Sequence, residues 1–187
     1  MKNLDTLIHD IYTVLDGLNS DKGVDIPEEL MEEFLVNTRE ALEGWSTPHL
    51  QSKTVRMSNV GRPLRRVWYD MQDTPLTKER MQPSTFIKFL YGHLLESVAI
   101  LLIKLSGHTV TDMQKEVEVD GIKGHMDCKI DGEVVDIKTA SNFSFKKFSS
   151  GALVDDDPFG YMAQLAGYEE AEGTEDGGFF APSKLCH

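Results

Sequence analysis

Two aspartates and a lysine lie close together in the sequence, in a pattern that predicts one shared face of a β-hairpin. The stretch GHMDCKIDGEVVDIKT contains the dipeptide Asp131-Gly132, which is typical of a two-residue hairpin turn. With that turn, Asp127 lies directly opposite Asp136, and their Cβ atoms are about 4.5–5.5 Å apart. Lys138 points to the same face, because side chains alternate along a strand. The sequence therefore predicts two carboxylates and one ammonium group side by side.

Two kinds of site fit this group. Like charges directly opposite each other destabilise a hairpin, so the acids need a counter-charge. Lys138 supplies one in a plain surface ion pair, which contributes little to stability. A divalent cation supplies another, because it requires converging carboxylate oxygens and cancels their repulsion. Both interpretations stay open from the residues alone, and the cation explains the pair of acids better.

A long apolar segment upstream carries two further polar candidates. Residues 86–106 read FIKFLYGHLLESVAILLIKLS, which predicts a central, mostly buried helix that ends at Gly107. His93 and Glu96 interrupt it three positions apart, on one face of the helix. A single buried histidine is more often a hydrogen-bonded core residue than a ligand. Burying a histidine and a glutamate together without partners is costly, which favours a site.

The composition is that of an ordinary soluble protein with an uneven charge distribution. The 187 residues are 40% hydrophobic and 27% charged, and the formal net charge is −12. Residues 51–104 nevertheless hold nine basic and four acidic side chains, so a local basic groove is compatible with the sequence. We expect no membrane partner, because no apolar run is long enough and free enough of charge, and no secretory signal opens the chain. Two cysteines, Cys128 and Cys186, are too few for a disulfide framework, and a cytoplasmic location fits.

A basic segment with aromatic neighbours lies at residues 58–70, SNVGRPLRRVWYD. The arginines suit contacts with phosphates, and the aromatic rings suit packing or base stacking. The alternative is a solvated basic turn beside a core tryptophan, and both interpretations stay open. The residues concerned are Arg62, Arg65, Arg66, Trp68 and Tyr69.

The remaining pattern predicts a helical start followed by an α/β region. Two acidic amphipathic helices cover residues 4–18 and 27–44, and prolines make residues 45–85 irregular. Three strands, a long loop carrying Lys146 and Lys147, a helix and a last strand follow. Gln164 and Tyr168 lie four positions apart on that helix. The predicted strands are 115–120, 123–130, 133–138 and 178–181, the loop is 139–157 and the helix is 159–171.

This order of elements and motifs resembles the PD-(D/E)xK nuclease superfamily, and within it the RecB-type branch that includes many phage exonucleases. The basic segment is similar to the arginine-containing segment upstream of that core, and QLAGY looks like the QxxxY motif. The resemblance implies an α/β fold: a restriction-endonuclease-like αβββαβ core with a mixed central sheet, at residues 58–187, after an N-terminal helical extension at residues 1–57. The motifs are GHLLE (92–96), GHMD (124–127), DIK (136–138) and QLAGY (164–168).

Carried onto this chain, the resemblance implies a role for each candidate residue. His93, Asp127 and Asp136 are expected to bind one or two Mg²⁺ or Mn²⁺ ions, together with the backbone carbonyl of Ile137. Lys138 is expected to act on the attacking water or the scissile phosphate. No iron–sulfur cluster is expected, because the branch members that hold one need four cysteines. Further expected site residues are Gln164 and Tyr168 beside the DNA backbone, Glu96 as an acid near the metal, and Arg62, Arg65, Arg66, Lys146 and Lys147 as DNA contacts.

The expected function is metal-dependent hydrolysis of DNA, by an exonuclease that acts on single strands or DNA ends in replication, recombination or repair. A bacterial or phage-infected host cytoplasm and a phage gene fit this expectation. The alternative is a catalytically inactive, nuclease-like module that binds DNA or protein. In either case, the acidic N-terminal helices are a candidate surface for a replication or recombination protein.

Overall fold

The computed structural model describes residues 2–47, 54–72 and 81–182, and in these ranges the chain has seven α-helices and six β-strands. Two 3₁₀ turns, Gly17–Asn19 and Ala152–Val154, complete the regular structure. The helices are α1 (Leu4–Asp16), α2 (Glu28–Ser46), α3 (Met57–Val60), α4 (Leu64–Met71), α5 (Pro83–Leu105), α6 (Asn142–Ser150) and α7 (Tyr161–Glu172). The strands are β1 (Val110–Thr111), β2 (Lys115–Val119), β3 (Ile122–Met126), β4 (Cys128–Ile130), β5 (Glu133–Ile137) and β6 (Gly177–Phe180).

The strands form a mixed four-stranded sheet in the order β1-β4-β5-β6 and a separate β2-β3 hairpin. β1 runs antiparallel to β4, with Val110 opposite Ile130, and β5 runs parallel to β6, with Val134 opposite Gly177. The expected α/β class with a mixed sheet is therefore confirmed. The expected strand 123–130 is wrong as one element, because it is interrupted at Asp127, and the short strand β1 was not predicted.

Both predicted Asp-Gly turns are present. Asp131 and Gly132 separate β4 from β5 and have φ angles of 52° and 95°. Asp120 and Gly121 separate β2 from β3 with φ angles of 51° and 78°. Positive φ at both central positions is the requirement of the tight hairpin turn, and aspartate and glycine tolerate it.

The chain divides into two compact units, and the first contains α1, α2, α5 and β1. Its ranges are Met1–Pro48, Gln82–Thr111 and Lys129–Gly132. The buried imidazole of His108 bridges two carboxylates: its Nδ1 lies 2.6 Å from Oδ2 of Asp131, and its Nε2 lies 3.1 Å from Oδ2 of Asp10. Lys2 also reaches Asp10 at 3.0 Å. This network joins α1 to the turn after β4.

Helix α5 is less buried than its sequence predicts. Only four of its residues are buried, Ser97, Ala99, Ile100 and Ile103. Its N-terminal half exposes Phe86, Ile87, Phe89 and Tyr91. The expectation of a mostly buried helix is therefore wrong for that half: α2 reaches it, with Nε1 of Trp45 donating to the Phe86 carbonyl, but these side chains stay exposed.

The same helix also bears on the expectation that no apolar run is long enough to span a membrane. Helix α5 has 23 residues and contains an 18-residue window with a mean hydropathy of 1.7, so it is long and apolar enough to cross a membrane by length and composition. It was the one such helix among the residues that the structure describes. A core helix passes the same test, so this property alone does not assign a membrane partner.

The second unit contains the remaining helices and strands β2, β3, β5 and β6. Its ranges are His49–Met81, Asp112–Cys128 and Glu133–His187. Helix α7 packs against α3 and against strands β2, β5 and β6. The buried cluster that holds these elements together consists of Met57, Val117, Met126, Val134, Leu165 and Tyr168. Cys128 is a buried free thiol, and Cys186 lies outside the described residues.

Two segments predicted to be irregular contain helices. Within 45–85, α4 starts directly after Pro63, which suits a helix start, and it buries one residue, Val67. Within 139–157, α6 is capped by the Ser141 side chain, which accepts a hydrogen bond from the backbone N–H of Ser144. Gly151 ends α6 in the left-handed region. The prediction of a loop over residues 139–157 is therefore wrong. The predicted domain boundary between residues 57 and 58 stays a prediction.

We predict that the close approach of two glycines fixes the junction between α3, α4 and α7. A Cβ atom on Gly61 would lie 2.5 Å from Cα of Gly160, which is backbone that has no room to move. Gly61→Ala is therefore expected to lower the free energy of unfolding by about 1–3 kcal/mol, as overpacking does. Gly44 is the control, because a Cβ there meets no atom within 4 Å.

The control substitution Gly44→Ala is expected to raise the free energy of unfolding by about 0.5–1 kcal/mol, since alanine favours a helix over glycine. Urea denaturation followed by circular dichroism measures both variants. Equal effects of the two substitutions would contradict the close approach at Gly61.

Candidate functional site

Asp136 and Lys138 form a buried ion pair at the end of β5. The Asp136 side chain is fully buried, and the Lys138 side chain is 22% exposed. Nζ of Lys138 donates to Oδ1 of Asp136 at 2.8 Å and lies 2.7 Å from Oδ2. Oδ2 has no hydrogen-bond partner of suitable geometry in the described part of the chain. The pair therefore leaves one buried carboxylate oxygen without a hydrogen bond.

Asp127 lies beside this pair, at the interruption between β3 and β4. Its Oδ2 accepts a hydrogen bond of 2.7 Å from the backbone N–H of Ile137, the residue between Asp136 and Lys138. A side-chain carboxylate thus takes the place of a backbone carbonyl as acceptor, which explains why strand pairing stops at this residue. The structure brings Asp127, Asp136 and Lys138 together as the sequence predicts.

Burial and the neighbouring charges act on both members of the ion pair. Burial raises the pKa of the Asp136 carboxyl above its usual value, and Lys138 offsets only part of that increase. Burial acts to lower the pKa of Lys138, but the carboxylates of Asp136 and Asp127 outweigh burial and raise it. The cluster consequently holds its lysine proton firmly and favours an additional positive charge near Asp136.

Tyr161 is a site residue that the sequence analysis missed. Nζ of Lys138 lies 5.3 Å from the centre of the Tyr161 ring, within the range of a cation–π contact. The ring stacks on Phe159 and Phe148, with centroids 5.4 Å and 6.0 Å away. Burial raises the pKa of the Tyr161 hydroxyl, and the charges of Lys138 and Arg62 oppose that shift. An aromatic group therefore covers one side of the lysine.

A signal for Tyr161 was present in the sequence. It precedes Gln164 by three positions and Tyr168 by seven, so all three lie on one face of α7. The face could have been identified by extending the QLAGY motif one turn upstream.

Gln164 and Tyr168 are buried and hydrogen-bonded to each other. Nε2 of Gln164 donates to the Tyr168 hydroxyl at 2.8 Å, and that hydroxyl donates to the backbone carbonyl of His125 at 2.7 Å. His125 lies two residues before Asp127, so this chain of hydrogen bonds connects α7 to the strand that leads to the site. Direct contact of Gln164 and Tyr168 with DNA stays a prediction.

The basic candidates lie on two elements of the second unit. Arg62 precedes α4, where Arg65 and Arg66 are exposed. Lys146 is exposed on α6, whereas Lys147 forms an ion pair of 2.5 Å with Asp156. Lys147 is therefore less available to a phosphate than Lys146.

His93 and Glu96 lie on α5, in the first unit. His93 is exposed and Glu96 is half-buried, so the prediction of a buried pair is wrong for His93. Their roles near a metal stay predictions. Within residues 2–47, 54–72 and 81–182, the structure contains no cluster of three or more histidine, cysteine, aspartate or glutamate side chains that could bind a metal.

The atoms around Asp136 nevertheless suit a hard divalent cation. The Asp127 and Asp136 carboxylates are oxygen ligands of the kind that Mg²⁺ and Mn²⁺ prefer. Oδ2 of Asp136 is buried and has no hydrogen bond of suitable geometry, although Nζ of Lys138 lies 2.7 Å away, so this atom is available as a cation ligand if Lys138 moves aside. Two of the expected ligands, Asp127 and Asp136, are therefore chemically suited to the expected Mg²⁺ or Mn²⁺ ion.

Comparisons with known proteins add no family to this description. A scan against protein-family models and searches of curated proteins and of solved structures gave no significant match.

The hydroxyl of Tyr168 is expected to stabilise the fold under the site. Tyr168→Phe leaves the His125 carbonyl and the Gln164 amide without their shared partner, and an unsatisfied buried polar group costs about 1–3 kcal/mol. We expect a decrease of that size in the free energy of unfolding, measured in urea. Tyr12→Phe is the control, because Tyr12 is 64% exposed. A similarly small change in both variants would contradict the structural role of the hydroxyl.

Proposed function

We propose that the chain is a metal-dependent nuclease that hydrolyses phosphodiester bonds in DNA. The observation that carries this proposal is the buried Asp136 carboxylate, with Lys138 against it and Asp127 beside it. We also infer that the strands around it form a nuclease core of the restriction-endonuclease-like type, as the resemblance in sequence implies.

Fold stability alone explains this cluster poorly. A buried ion pair often contributes less than apolar side chains of the same volume, because both charges lose their water. Here Oδ2 of Asp136 lies 2.7 Å from the Lys138 ammonium group but has no hydrogen bond of suitable geometry. Perturbed, clustered groups of this kind are typical of functional sites.

In the proposed nuclease, Asp127 and Asp136 bind Mg²⁺ or Mn²⁺, with the Ile137 carbonyl and His93 as further expected ligands. The bound ion supplies Lewis-acid polarisation of the phosphate and lowers the pKa of water. The imidazole ligand favours Mn²⁺ over Mg²⁺. The two carboxylates fix the position of the cation, because Asp136 is held within β5 and Asp127 is held by the N–H of Ile137.

Lys138 contributes a fixed positive charge beside those carboxylates. Its raised pKa keeps it protonated at neutral pH, so it donates hydrogen bonds to the phosphate or to the attacking water. Tyr161 restricts its orientation from one side. The arginines before and on α4, together with Lys146, are the proposed contacts with the DNA backbone.

Cleavage is expected to require both metal and Lys138. End-labelled single-stranded and double-stranded DNA are incubated with Mn²⁺, Mg²⁺ or EDTA. Lys138→Ala is expected to reduce the Mn²⁺-dependent rate by about 10²–10³-fold, since it removes one preorganised donor from the transition state. Lys123→Ala is the control, because Lys123 is 58% exposed and pairs with Glu116 on the β2-β3 hairpin.

Equal activity of Lys138→Ala and Lys123→Ala would overturn the proposed site. Failure of the folded wild-type protein to cleave any substrate would favour the alternative, an inactive nuclease-like binding module. The length of the labelled products distinguishes exonuclease from endonuclease action.

Stabilisation by Mn²⁺ is expected to increase with pH. A ligand that binds only the folded state raises the melting temperature, and a proton on Asp136 competes with the cation. Because burial raises the pKa of Asp136, this competition begins at a higher pH than for an aspartate with the usual value of 3.8. The stabilisation is therefore present above the raised pKa and is lost as the pH falls through it.

Thermal melts with and without Mn²⁺ at pH 5 and pH 8 measure this effect. The increase in melting temperature should be larger at pH 8 in the wild type and absent at both values in Asp127→Asn. A stabilisation that is independent of pH, or one that persists in Asp127→Asn, would show that the cation binds elsewhere.

A further inference from the structure

Helix α4 presents aromatic and basic side chains to solvent on the same short element. Val67 is its one buried residue, whereas Trp68 is 56% exposed and Tyr69 is 41% exposed. Arg65 and Arg66 are exposed beside them. The sequence left two interpretations of this segment open. The structure contradicts the one that places Trp68 in the core, because the side chain is more than half exposed.

Exposure of apolar groups is not diagnostic by itself on this chain, because Leu64 and several residues of α5 are also exposed. The distinguishing feature of α4 is the arrangement of rings and charges. The guanidinium of Arg65 lies 5.8 Å from the centre of the Tyr69 ring, and the Trp68 and Tyr69 rings meet edge to face at 4.9 Å. Each ring is thereby held in place by a neighbour.

The described residues of this surface carry a net positive charge. Arg62, Arg65 and Arg66 form no ion pair with a carboxylate in the part of the chain that the structure describes. Asp70 is the acidic residue of the helix. An open depression of about 580 Å³ is lined by Pro63, Arg65, Arg66 and Tyr69, and it is large enough for a nucleotide unit. A polyanion with flat, apolar groups is the complementary ligand.

The helix is also connected to the proposed active site within the second unit. Gly61, two residues before Pro63, contacts the backbone of Gly160, which immediately precedes Tyr161. The charge of Arg62 acts on Tyr161, and Tyr161 lies against Lys138. The segment that leads into α4 therefore lies beside the start of α7, whose Tyr161 contacts Lys138.

We propose that α4 is a base-stacking subsite for single-stranded DNA, in which Trp68 and Tyr69 stack on unpaired bases while Arg65 and Arg66 contact the phosphates. Base faces are accessible in a single strand and hidden inside a duplex, whereas phosphates are accessible in both. The aromatic residues thus select the single strand, and the arginines bind either form. This inference rests on the proposed nuclease function, because it specifies the substrate of the same site.

The test is equilibrium binding of the full chain in EDTA, where cleavage is not required. A fluorescein-labelled 20-nucleotide oligo-dT and a 20-base-pair duplex are titrated with protein, and fluorescence anisotropy is recorded. Trp68→Ala is expected to weaken binding of the single strand by about 5- to 150-fold, the range found for one stacked base. Duplex binding is expected to change less than about twofold.

The control variants lie on the same helix. Leu64→Ala removes a side chain that is 86% exposed but not aromatic, and it is expected to leave both affinities unchanged. Trp68→Phe is expected to retain most of the affinity for the single strand, because a phenyl ring still stacks. Arg66→Gln is expected to weaken binding of both DNA forms and to reduce the salt dependence.

The intrinsic fluorescence of Trp68 gives a second measurement. The chain has two tryptophans, so Trp45→Phe leaves Trp68 as the remaining emitter. Oligo-dT is expected to quench that emission by stacking, and the duplex is expected to leave it nearly unchanged. Absence of quenching by the bound single strand would overturn the proposal.

The proposal fails if Trp68→Ala behaves like Leu64→Ala, if it weakens both DNA forms equally, or if the wild type binds neither. Binding that depends on Trp68 without any cleavage would overturn the nuclease function and retain the subsite. If cleavage depends on Lys138 but not on Trp68, and Trp68→Ala binds single strands as the wild type does, the nuclease function is retained and the subsite is overturned.

Discussion

The burial of a carboxylate is the constraint on which the candidate site depends. Asp136 occupies a position in β5 where its neighbours Val134, Val135 and Ile137 are also buried, so its charge has almost no access to water. Lys138 compensates that charge in part: its Nζ lies close to both carboxylate oxygens but hydrogen-bonds only to Oδ1. A buried carboxylate in this position destabilises the folded state, and a positively charged ligand that binds it would reduce that cost.

The elements around β5 are arranged to maintain that carboxylate. Asp127 replaces a backbone acceptor at the N–H of Ile137, and the pairing of β4 with β5 ends there, where the site begins. The Tyr168 hydroxyl donates a hydrogen bond to the His125 carbonyl, which restrains the backbone two residues before Asp127. Tyr161, at the start of the same helix, lies against Lys138. Helix α7 therefore positions both ends of the site.

Local sequence signals predicted much of this arrangement. The Asp-Gly dipeptide predicted the turn between β4 and β5, and alternation along the strands predicted that Asp127, Asp136 and Lys138 lie close together. Asp127 does so from the break between β3 and β4, where it accepts a hydrogen bond from the N–H of Ile137, and not from within a strand. These inferences succeeded because they depend on neighbours in the chain. The helical positions of Gln164 and Tyr168 followed from the same kind of periodicity.

The errors came from contacts that are distant in the chain. Prolines suggested an irregular segment before residue 85, but one of them, Pro63, begins α4, and burial of Val67 holds that helix in place. The periodic apolar run of α5 suggested a mostly buried helix, but the burial of a helix depends on the partners that cover it and cannot be read from its own sequence. Helical periodicity places Tyr161 on the face of Gln164 and Tyr168, but only the packing of α7 against β5 brings that face to Lys138.

The central claim is that Asp127 and Asp136 together hold a divalent cation, and anomalous diffraction from crystals soaked in Mn²⁺ tests it most directly. We expect an anomalous peak within coordination distance of both carboxylates, with Oδ2 of Asp136 as a ligand and Lys138 displaced from that oxygen. The peak should be absent from crystals of Asp136→Asn. No peak at these carboxylates in the wild type, at a Mn²⁺ concentration that supports cleavage, would contradict the account.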